Sequence, residues 1–554
     1  MSLLNQFVNR TEFASYEDFR DRLDIRVPEN FNFAYDVVDA YAATEPGRQA
    51  IVWCNDEGTE RIETFADLKA GSDRAAQMFQ KHGIRKGDAV LLILKCRLEF
   101  WHCLLGLHKL GAVAVPATHM LTEHDLAYRF ERADIRLVVA VPDVPLENAI
   151  ERAAAKTLGP PILKMRLRGA KAGWLDYTAE MAATDGRWTR PTGAAATRIH
   201  DAMLIYFSSG TTGQPKMVAH DFTYPLGHIV TAKFWQNVGD GGLHYTVADT
   251  GWAKSAWGKI YGQWIAGSAV FVHDYDKFSA TRTLEMCAKY GVTTFCAPPT
   301  VYRFLIKEDL GKFDFSRWKY AVVAGEPLNP EVYGQFLKAT GLKLMEGYGQ
   351  TEMTVAVGNF VGMEPKPGSM GRPSPLYGMF LARPDGSPCD PGEQGEIVVP
   401  RERCRALGMF MGYHRDPEGN ARCMRGGLYH TGDVAWQDED GYFWYVGRDD
   451  DLIKSSGYRI GPFEVESALM EHPAVMECAV TGVPDTERGQ IVKATVVLAK
   501  GYAASEELKH ELQNHVKTVT APYKYPRVVE FVAELPKTIS GKIRRVEIRE
   551  QDGG

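Results

Sequence analysis

The sequence lacks the cysteine pattern of a disulfide framework or of a zinc cluster. Its nine cysteines are odd in number, are scattered along the chain and form no CxxC pair. Paired spacing is typical of both disulfide scaffolds and cysteine-ligated metals, so neither is predicted. We expect most of these thiols to be small, buried apolar side chains.

Long apolar runs are also missing. The most apolar long stretch, residues 100–117, is interrupted by His102, His108 and Lys109. It falls short of the roughly 20 apolar residues that span a bilayer. Residues 1–11 contain Asn5 and Arg10 and lack the continuous apolar segment of a secretory signal. The sequence therefore predicts no integral membrane association, and the cytoplasm is the expected location.

The charge balance shows no basic excess. The formal net charge is −6 and the isoelectric point is near 6.2. A nucleic-acid partner is therefore not expected, although a local basic pocket for an anionic cofactor remains compatible with this composition. With 45% hydrophobic and 24% charged residues, the chain is typical of globular proteins. Its 554 residues are too many for one core, so several domains are expected.

Hydrophobic periodicity predicts alternating strands and helices. Thr64 and Gly83 bracket apolar residues at helical spacing, and residues 88–94, 98–110 and 112–116 then predict a strand, a helix and a strand. The alternation recurs at residues 135–141, 203–207, 283–290 and 292–297. This pattern is typical of parallel sheets covered by helices.

The composition changes twice in the second half of the chain. Residues 365–401 are rich in Gly and Pro and contain the run GEIVV, which predicts a small β-rich subdomain. After Gly447, a compact αβ pattern begins, with helices at 464–472 and 505–519 and strands at 476–481, 492–498 and 528–532. We therefore predict an α/β fold. A large N-terminal domain, residues 1–449, contains stacked, mostly parallel sheets, helices and the β-rich subdomain, and residues 450–554 form a small α+β C-terminal domain.

The strongest local signal is a polar loop that follows an apolar strand. Residues 206–216 have the sequence YFSSGTTGQPK. Glycines allow close backbone approach, hydroxyl and amide groups donate to phosphoryl oxygens, and Lys216 adds positive charge. Pro215 and Met217 occupy positions where a Walker loop requires Gly and Ser or Thr. The loop predicts a different kind of phosphate site, formed by Ser208, Ser209, Gly210, Thr211, Thr212, Gly213, Gln214, Pro215 and Lys216.

A second segment, EGYGQTE at residues 346–352, suits a nucleotide. Its glycines let the backbone lie against a purine, Tyr348 offers an aromatic face, and Glu352 can hold a hard cation. Taken alone, Tyr348 would more simply be a packed tyrosine at a strand end. Three further strings accompany these two motifs: GEP at 325–327, YHTGD at 429–433 with GR at 447–448, and PKTISGK at 536–542.

Together and in this order, the motifs resemble those of the adenylate-forming enzymes from about residue 50 to the end of the chain. The resemblance implies that Thr351 touches the α-phosphate and that Glu352 holds Mg²⁺. It also implies that Asp433 and Arg448 grip the ribose, and that Lys542 is catalytic. Beyond the phosphate loop, the implied ATP-binding residues are Gly325, Glu326, Pro327, Glu346, Gly347, Tyr348, Gly349, Gln350, Thr351, Asp433, Arg448 and Lys542.

The C-terminal motifs SSGYRIGP at 455–462 and TAPYKYPR at 520–527 resemble the medium-chain acyl-CoA synthetase branch of that family. The resemblance implies that the C-terminal domain is mobile, with a hinge at Asp450. Lys517 and Arg527 could equally be solvated surface charges. The implied coenzyme A residues are His119, Ser456, Gly457, Tyr458, Arg488, Lys517, Tyr525, Pro526 and Arg527.

The acyl pocket is the least readable site. The resemblance implies Trp252, Lys254, Trp257, Cys296, Ala297, Gly325, Gly349, Met353 and Arg459. Bulky Trp257 would shorten the pocket and favour short or branched acids. Lys254 needs a partner when buried, either a carboxylate of the protein or a polar group of the substrate. Cys296 is expected to be a wall residue.

These motifs predict an enzyme, an acid–thiol ligase of the AMP-forming acyl-CoA synthetase type. Its expected substrates are ATP, coenzyme A and a short- to medium-chain acid, with Mg²⁺ as cofactor and a monomer or homodimer as the assembly. An aromatic-acid CoA ligase and an adenylating enzyme with another acceptor are the alternatives. An ATP-binding regulatory protein without catalysis is disfavoured by five charged residues, Lys216, Glu352, Asp433, Arg448 and Lys542.

Overall fold

The computed structural model describes residues 2–208, 214–404, 406–537 and 542–552. Within these ranges the chain forms four β-sheets accompanied by helices, and the predicted α/β class is confirmed. Part of the predicted phosphate loop, namely Ser209, Gly210, Thr211, Thr212 and Gly213, lies outside the described residues. Among the described residues, no helix has both the length and the apolar character needed to cross a bilayer.

The first large sheet has nine strands. Its interior pairs are parallel, and antiparallel pairs close both edges. In spatial order the strands are Arg372–Pro373, Val357–Gly358, Leu344–Tyr348, Tyr320–Ala324, Thr294–Ala297, Leu243–Thr246, Ala269–Asp274, Gln49–Asn55 and Glu60–Thr64.

The second large sheet has eight strands and is parallel except at one edge, where two pairs are antiparallel. Its order is Gly412–Tyr413, Lys216–Asp221, Ala202–Ser208, Val113–Pro116, Ala89–Ile93, Ile135–Ala140, Leu163–Arg166 and Leu175–Asp176. Ser208 pairs with Lys216, so the predicted phosphate loop connects two antiparallel neighbours.

Two five-stranded sheets follow. The antiparallel sheet confirms the β-rich subdomain and contains Phe380–Ala382, Gln394–Pro400, Leu428–Gln437, Met424–Arg425 and Phe443–Arg448. The C-terminal sheet contains Tyr458–Ile460, Ile453–Ser455, Gly489–Leu498, Val475–Asp485 and Val528–Phe531. Two of its strands are longer than predicted, because they continue as a hairpin whose polar residues pair through the backbone. The domain boundary at residues 449 and 450 stays a prediction.

The helices cover the sheets and connect their strands. The α-helices are Leu4–Phe7, Tyr16–Arg22, Ala40–Thr44, Phe65–Lys81, Glu99–Leu110, Glu123–Arg132, Val144–Lys156, Tyr177–Ala182, Tyr224–Ile229, Lys254–Gly258, Tyr261–Ile265, Ala280–Tyr290, Pro299–Leu305, Pro330–Thr340, Pro417–Cys423, Pro462–Met470, Glu506–Val519 and Arg545–Gln551.

Local sequence explains the helices that were predicted best. Thr64 caps helix Phe65–Lys81, and its hydroxyl and the Asp67 carboxylate form a reciprocal capping box. Helix Glu99–Leu110 ends at Gly111, whose φ of 77° is left-handed. The two helices can pack closely because Gly106 has no side chain. A Cβ at this position would lie only 2.7 Å from the Ala75 side chain. The parallel strands Ala89–Ile93 and Val113–Pro116, connected by helix Glu99–Leu110, confirm the strand–helix–strand unit predicted over residues 88–116.

The core joins the two large sheets. Its largest apolar cluster contains strand residues of both sheets, such as Ile51 and Val90. Fully buried helix residues, Trp101, Trp235 and Trp264, belong to the same cluster. This shared core fixes the positions of the strand ends, where the predicted site residues lie.

A buried ion-pair cluster in this core gives a stability prediction. The ammonium of Lys109 is fully buried and lies 2.7 Å from Asp39 and 2.6 Å from Asp73. Lys109→Met would leave two carboxylates without their shared cation. We expect the free energy of unfolding to fall by about 3–5 kcal/mol, measured by urea denaturation.

The exposed pair between Lys156 and Glu123 provides a control, because the Lys156 side chain is 69% exposed. Lys156→Met should cost less than about 1 kcal/mol. Equal losses in the two variants would contradict the importance of the buried cluster.

Candidate active site

Segments of three sheets meet around residues 346–352. Tyr348 ends a strand of the nine-stranded sheet, Lys216 begins a strand of the eight-stranded sheet, and Asp433 lies in the antiparallel sheet. The structure therefore brings together residues that the sequence assigns to the adenine, phosphate and ribose parts of one nucleotide.

The Asp433 carboxylate is held by several donors. Its Oδ2 accepts hydrogen bonds from the Tyr348 hydroxyl at 2.6 Å and from Gln350 Nε2 at 2.6 Å. Its Oδ1 accepts from the Tyr445 hydroxyl at 3.2 Å and lies 3.8 Å from the Arg448 guanidinium. Asp433 and Arg448 are also direct cross-strand partners. These contacts fix a buried anion and a half-buried cation side by side.

The Glu352 carboxylate faces a cation across an aromatic ring. Its Oε1 accepts a hydrogen bond from the Tyr413 hydroxyl at 2.8 Å, and the ammonium of Lys216 lies 4.6 Å from the centre of the Tyr413 ring. Burial raises the pKa of the Glu352 carboxyl. The Tyr413 hydrogen bond and the charge of Lys216 partly oppose this effect. A carboxylate and an ammonium thus contact the same Tyr413 side chain.

The donor set around Glu352 fits a magnesium ion whose other ligands come from the phosphates of a nucleotide. Within the part of the chain that the structure describes, no group of three or more His, Cys, Asp or Glu side chains could hold a metal. Mg²⁺ typically needs only one or two protein carboxylates when substrate phosphates complete its shell. Glu352 meets that requirement for a cation that arrives with a nucleotide.

Close packing explains why this segment contains glycines. A Cβ on Gly347 would lie 2.5 Å from the Trp235 ring, and one on Gly349 would lie 2.5 Å from the Trp257 ring. The neighbouring Glu346 accepts a hydrogen bond from Leu328 N at 3.1 Å, and burial raises the pKa of Glu346 to about 8. These residues shape the wall on which a purine is predicted to lie.

The loop 325–327 lies near Lys254. Gly325 has a φ of 110°, and a Cβ at this position would lie 3.6 Å from the Lys254 ammonium. The half-buried Lys254 donates to the Ala324 carbonyl oxygen at 2.5 Å. Glu326 accepts from the Thr300 hydroxyl at 3.0 Å. Pro327 follows in the same loop.

Lys542 is close enough to influence Lys254 electrostatically. Burial lowers the pKa of Lys254, and the positive charge of Lys542 acts in the same direction. The predicted catalytic lysine of the C-terminal region therefore lies within electrostatic range of Lys254. Near the predicted hinge, Arg448 Nε lies 3.4 Å from Asp450 Oδ1.

Most acyl-pocket candidates lie in the interior. Cys296, Ala297, Met353 and Trp257 are buried, and Trp252 is half-buried. Arg459 differs, because it is exposed in a strand of the C-terminal sheet.

The coenzyme A candidates form an aromatic and cationic surface on the C-terminal region. Tyr458 stacks on Tyr523 with ring centres 4.1 Å apart. The Tyr525 ring contacts the Lys517 ammonium at 4.1 Å and the Arg527 guanidinium at 4.8 Å.

The remaining coenzyme A candidates occupy turns and one N-terminal position. Ser456 N donates to the Arg488 carbonyl oxygen at 2.9 Å, and Ser456 and Gly457 have left-handed φ values of 49° and 84°. Pro526 is buried. His119 lies in the N-terminal region, and burial lowers its pKa.

Three contacting residues were not predicted from the sequence: Tyr413, Trp235 and Tyr445. None of them lies in a motif with phosphate-binding or nucleotide-binding chemistry. Tyr413 and Glu352 are 61 positions apart, so their contact leaves no local pattern that could have revealed it.

Known proteins resemble this chain over nearly its full length. It is 41% identical to the mitochondrial acyl-coenzyme A synthetase ACSM3 of Rattus norvegicus, covering 98% of this chain and 94% of that protein. Its identity to ACSM3 of Homo sapiens is 40%, covering 99% and 94% of the two chains.

Solved structures show the same fold. The anthranilate CoA ligase AuaEII in complex with anthranoyl-AMP matches with a TM-score of 0.85 and 27% identity, covering 95% of this chain and 98% of that chain. An acyl-CoA synthetase from Brucella canis matches with a TM-score of 0.71 and 32% identity, covering 94% of both chains.

The prediction of a cytoplasmic location is wrong by these comparisons. The ACSM3 relatives from Rattus norvegicus and Homo sapiens are both described as mitochondrial, which points to the mitochondrion instead. The prediction relied on the lack of an apolar secretory segment. That feature argues against export but does not distinguish one internal compartment from another.

Two family models match separate parts of the chain. The model of the AMP-binding enzymes matches residues 38–414, and the model of the AMP-binding enzyme C-terminal domain matches residues 464–542. The first match alone spans more than half of the chain, and the ordered nucleotide motifs lie within or beside the two matched ranges. The chain therefore belongs to the family of AMP-binding enzymes.

Proposed function

We propose that this protein is an AMP-forming acyl-CoA synthetase. It converts a short- to medium-chain carboxylic acid, straight or branched, into its CoA thioester through an acyl-adenylate, and releases AMP and pyrophosphate. The main support for the proposal is the Tyr413 side chain, whose hydroxyl binds Glu352 and whose ring contacts the Lys216 ammonium. The paired Asp433 and Arg448 side chains lie in the same site. The acyl-CoA synthetase relatives support the same activity.

In the first half-reaction, a carboxylate oxygen of the acid attacks the α-phosphorus of ATP, and the bond to pyrophosphate breaks. Two anions approach each other, so positive charge must stabilise the transition state. Lys216 holds phosphate, Thr351 contacts the α-phosphate, and Lys542 supplies charge at the reacting atoms. A magnesium ion held by Glu352 would neutralise phosphate charge when it is bound.

In the second half-reaction, the thiol of coenzyme A attacks the acyl carbonyl carbon, loses its proton, and displaces AMP. The stacked pair Tyr458–Tyr523 and the cations beside Tyr525 support a ligand with an adenine ring and phosphates. Lys542 must leave before the CoA face can approach. A hinge at Asp450 would allow that movement.

A substrate panel tests the proposed function. The protein is incubated with ATP, Mg²⁺, coenzyme A and acids of short, branched, medium and aromatic type, and thioester, AMP and pyrophosphate are measured. We expect thioester and AMP in equal amounts with short, branched and medium acids. Adenylation without any thioester would favour another acceptor, and a strict preference for benzoate-type acids would favour the aromatic-acid alternative, which the AuaEII match also supports.

Lys542→Ala should separate the two half-reactions. Loss of its charge should abolish pyrophosphate release from acid and ATP, because the opposing anions are no longer neutralised. Thioester formation from a supplied acyl-adenylate should persist, because Lys542 acts only in the first step. Stopped assays of each half-reaction provide the measurement, and equal loss of both would contradict this division of roles.

Trp257→Leu should lengthen the acyl pocket. The indole is buried and packs against the backbone at Gly349, so its removal opens space behind the acid. We expect the ratio of kcat/KM for longer acids over shorter acids to rise about 10-fold or more. Trp436→Leu is the control, because Trp436 stacks on Trp444 in the antiparallel sheet. An unchanged chain-length preference in Trp257→Leu would remove it as the limit of the pocket.

A further inference from the structure

The strand that begins at Lys216 carries a fully buried imidazole, that of His220. Its Nε2 lies 2.8 Å from the carbonyl oxygen of Thr351, a residue 131 positions later in the chain. In a sequence, a single histidine in an apolar strand would be assigned to the core. Its contact with the Thr351 backbone instead places it directly behind the predicted nucleotide site.

The contact defines the protonation of the ring. Burial lowers the pKa of His220 to about 4, so the imidazole is neutral near pH 7 and carries one N–H. A carbonyl oxygen can only accept, so Nε2 carries the proton and donates it to Thr351. Nδ1 is buried and has no hydrogen-bond partner among the residues that the structure describes.

Stacking holds the ring in this orientation. The His220 and Tyr224 rings are stacked with centres 3.8 Å apart and an interplanar angle of 25°. Tyr224 is fully buried and meets His228 edge to face at 4.5 Å. The imidazole therefore cannot turn without breaking a buried aromatic stack, and Nε2 stays directed at Thr351.

The neighbouring backbone groups are anchored as well. The Glu352 carbonyl oxygen accepts from Phe410 N at 2.8 Å, and the Thr351 carbonyl oxygen accepts from His220. The two bonds connect the turn to the strand of Lys216 and to the segment that leads into Tyr413. These two hydrogen bonds set the distance between Lys216 and the Thr351–Glu352 pair.

We propose that His220 is a positioning residue for adenylate formation. Its neutral Nε2–H tautomer holds the Thr351–Glu352 turn at the spacing from Lys216 that an ATP phosphate chain requires. The inference deepens the proposed function and rests on it. His220 itself contacts neither substrate nor reacting atoms, so its effect on the reaction runs through Thr351.

Two variants at this position test the proposal. In His220→Leu the donor is lost, and in His220→Gln the side-chain amide can still donate to the Thr351 carbonyl. We expect His220→Leu to slow pyrophosphate release from ATP and acid by about 10- to 100-fold, since small misplacement of reacting groups is costly. His220→Gln should recover most of that rate. Thioester formation from a supplied acyl-adenylate should stay at the wild-type rate in both.

A binding measurement complements the kinetics. Isothermal titration of MgATP should show weaker affinity for His220→Leu than for wild type or His220→Gln. His102→Leu is the matched control, because His102 also contacts its partner, Glu63, through Nε2 at 2.8 Å but lies on helix Glu99–Leu110. It should leave MgATP affinity and the ratio of the two half-reaction rates unchanged.

Several results would overturn the role of His220. These are wild-type adenylation and MgATP affinity in His220→Leu, equal loss of both half-reactions, or a His220→Gln variant no better than His220→Leu. Thermal unfolding midpoints of all variants show whether a loss reflects global destabilisation. Absence of thioester from the wild-type protein across the acid panel is a separate outcome, which rejects the proposed function, while MgATP affinity still reports on His220.

Discussion

The site depends on the need to stabilise two buried carboxylates. Glu352 and Asp433 are both removed from water, and an isolated buried carboxylate is strongly unfavourable without donors or cations. Tyr413 and Lys216 meet this requirement at Glu352, while Tyr348, Gln350, Tyr445 and Arg448 meet it at Asp433. Because these partners come from three different sheets, satisfying the two anions also fixes how the sheets meet.

The same requirement connects packing with chemistry. Tyr348 and Gln350 tie the end of the nine-stranded sheet to the antiparallel sheet through Asp433, and Tyr413 ties the edge of the eight-stranded sheet to Glu352. His220 adds a backbone anchor from the eight-stranded sheet to the same turn. A nucleotide that binds here would contact groups whose orientations are already set, which lowers the reorganisation needed for catalysis.

The C-terminal region presents two chemically different features. Lys542 lies within electrostatic range of Lys254. The aromatic and cationic surface around Tyr525 has its contacts within the C-terminal sheet and its adjoining helices. Under the proposed function, each feature serves one half-reaction, and one small domain must present them in turn.

The sequence by itself determined the alternation of strands and helices and the ordered nucleotide motifs. These features depend on local periodicity, on caps such as Thr64 and on residues a few positions apart, and a linear pattern contains that information. Only the tertiary structure decided the partners of Glu352, the packing of Trp235 on Gly347 and the tautomer of His220. Each of these depends on contacts between residues far apart in the chain, which form only when the sheets and their shared core come together.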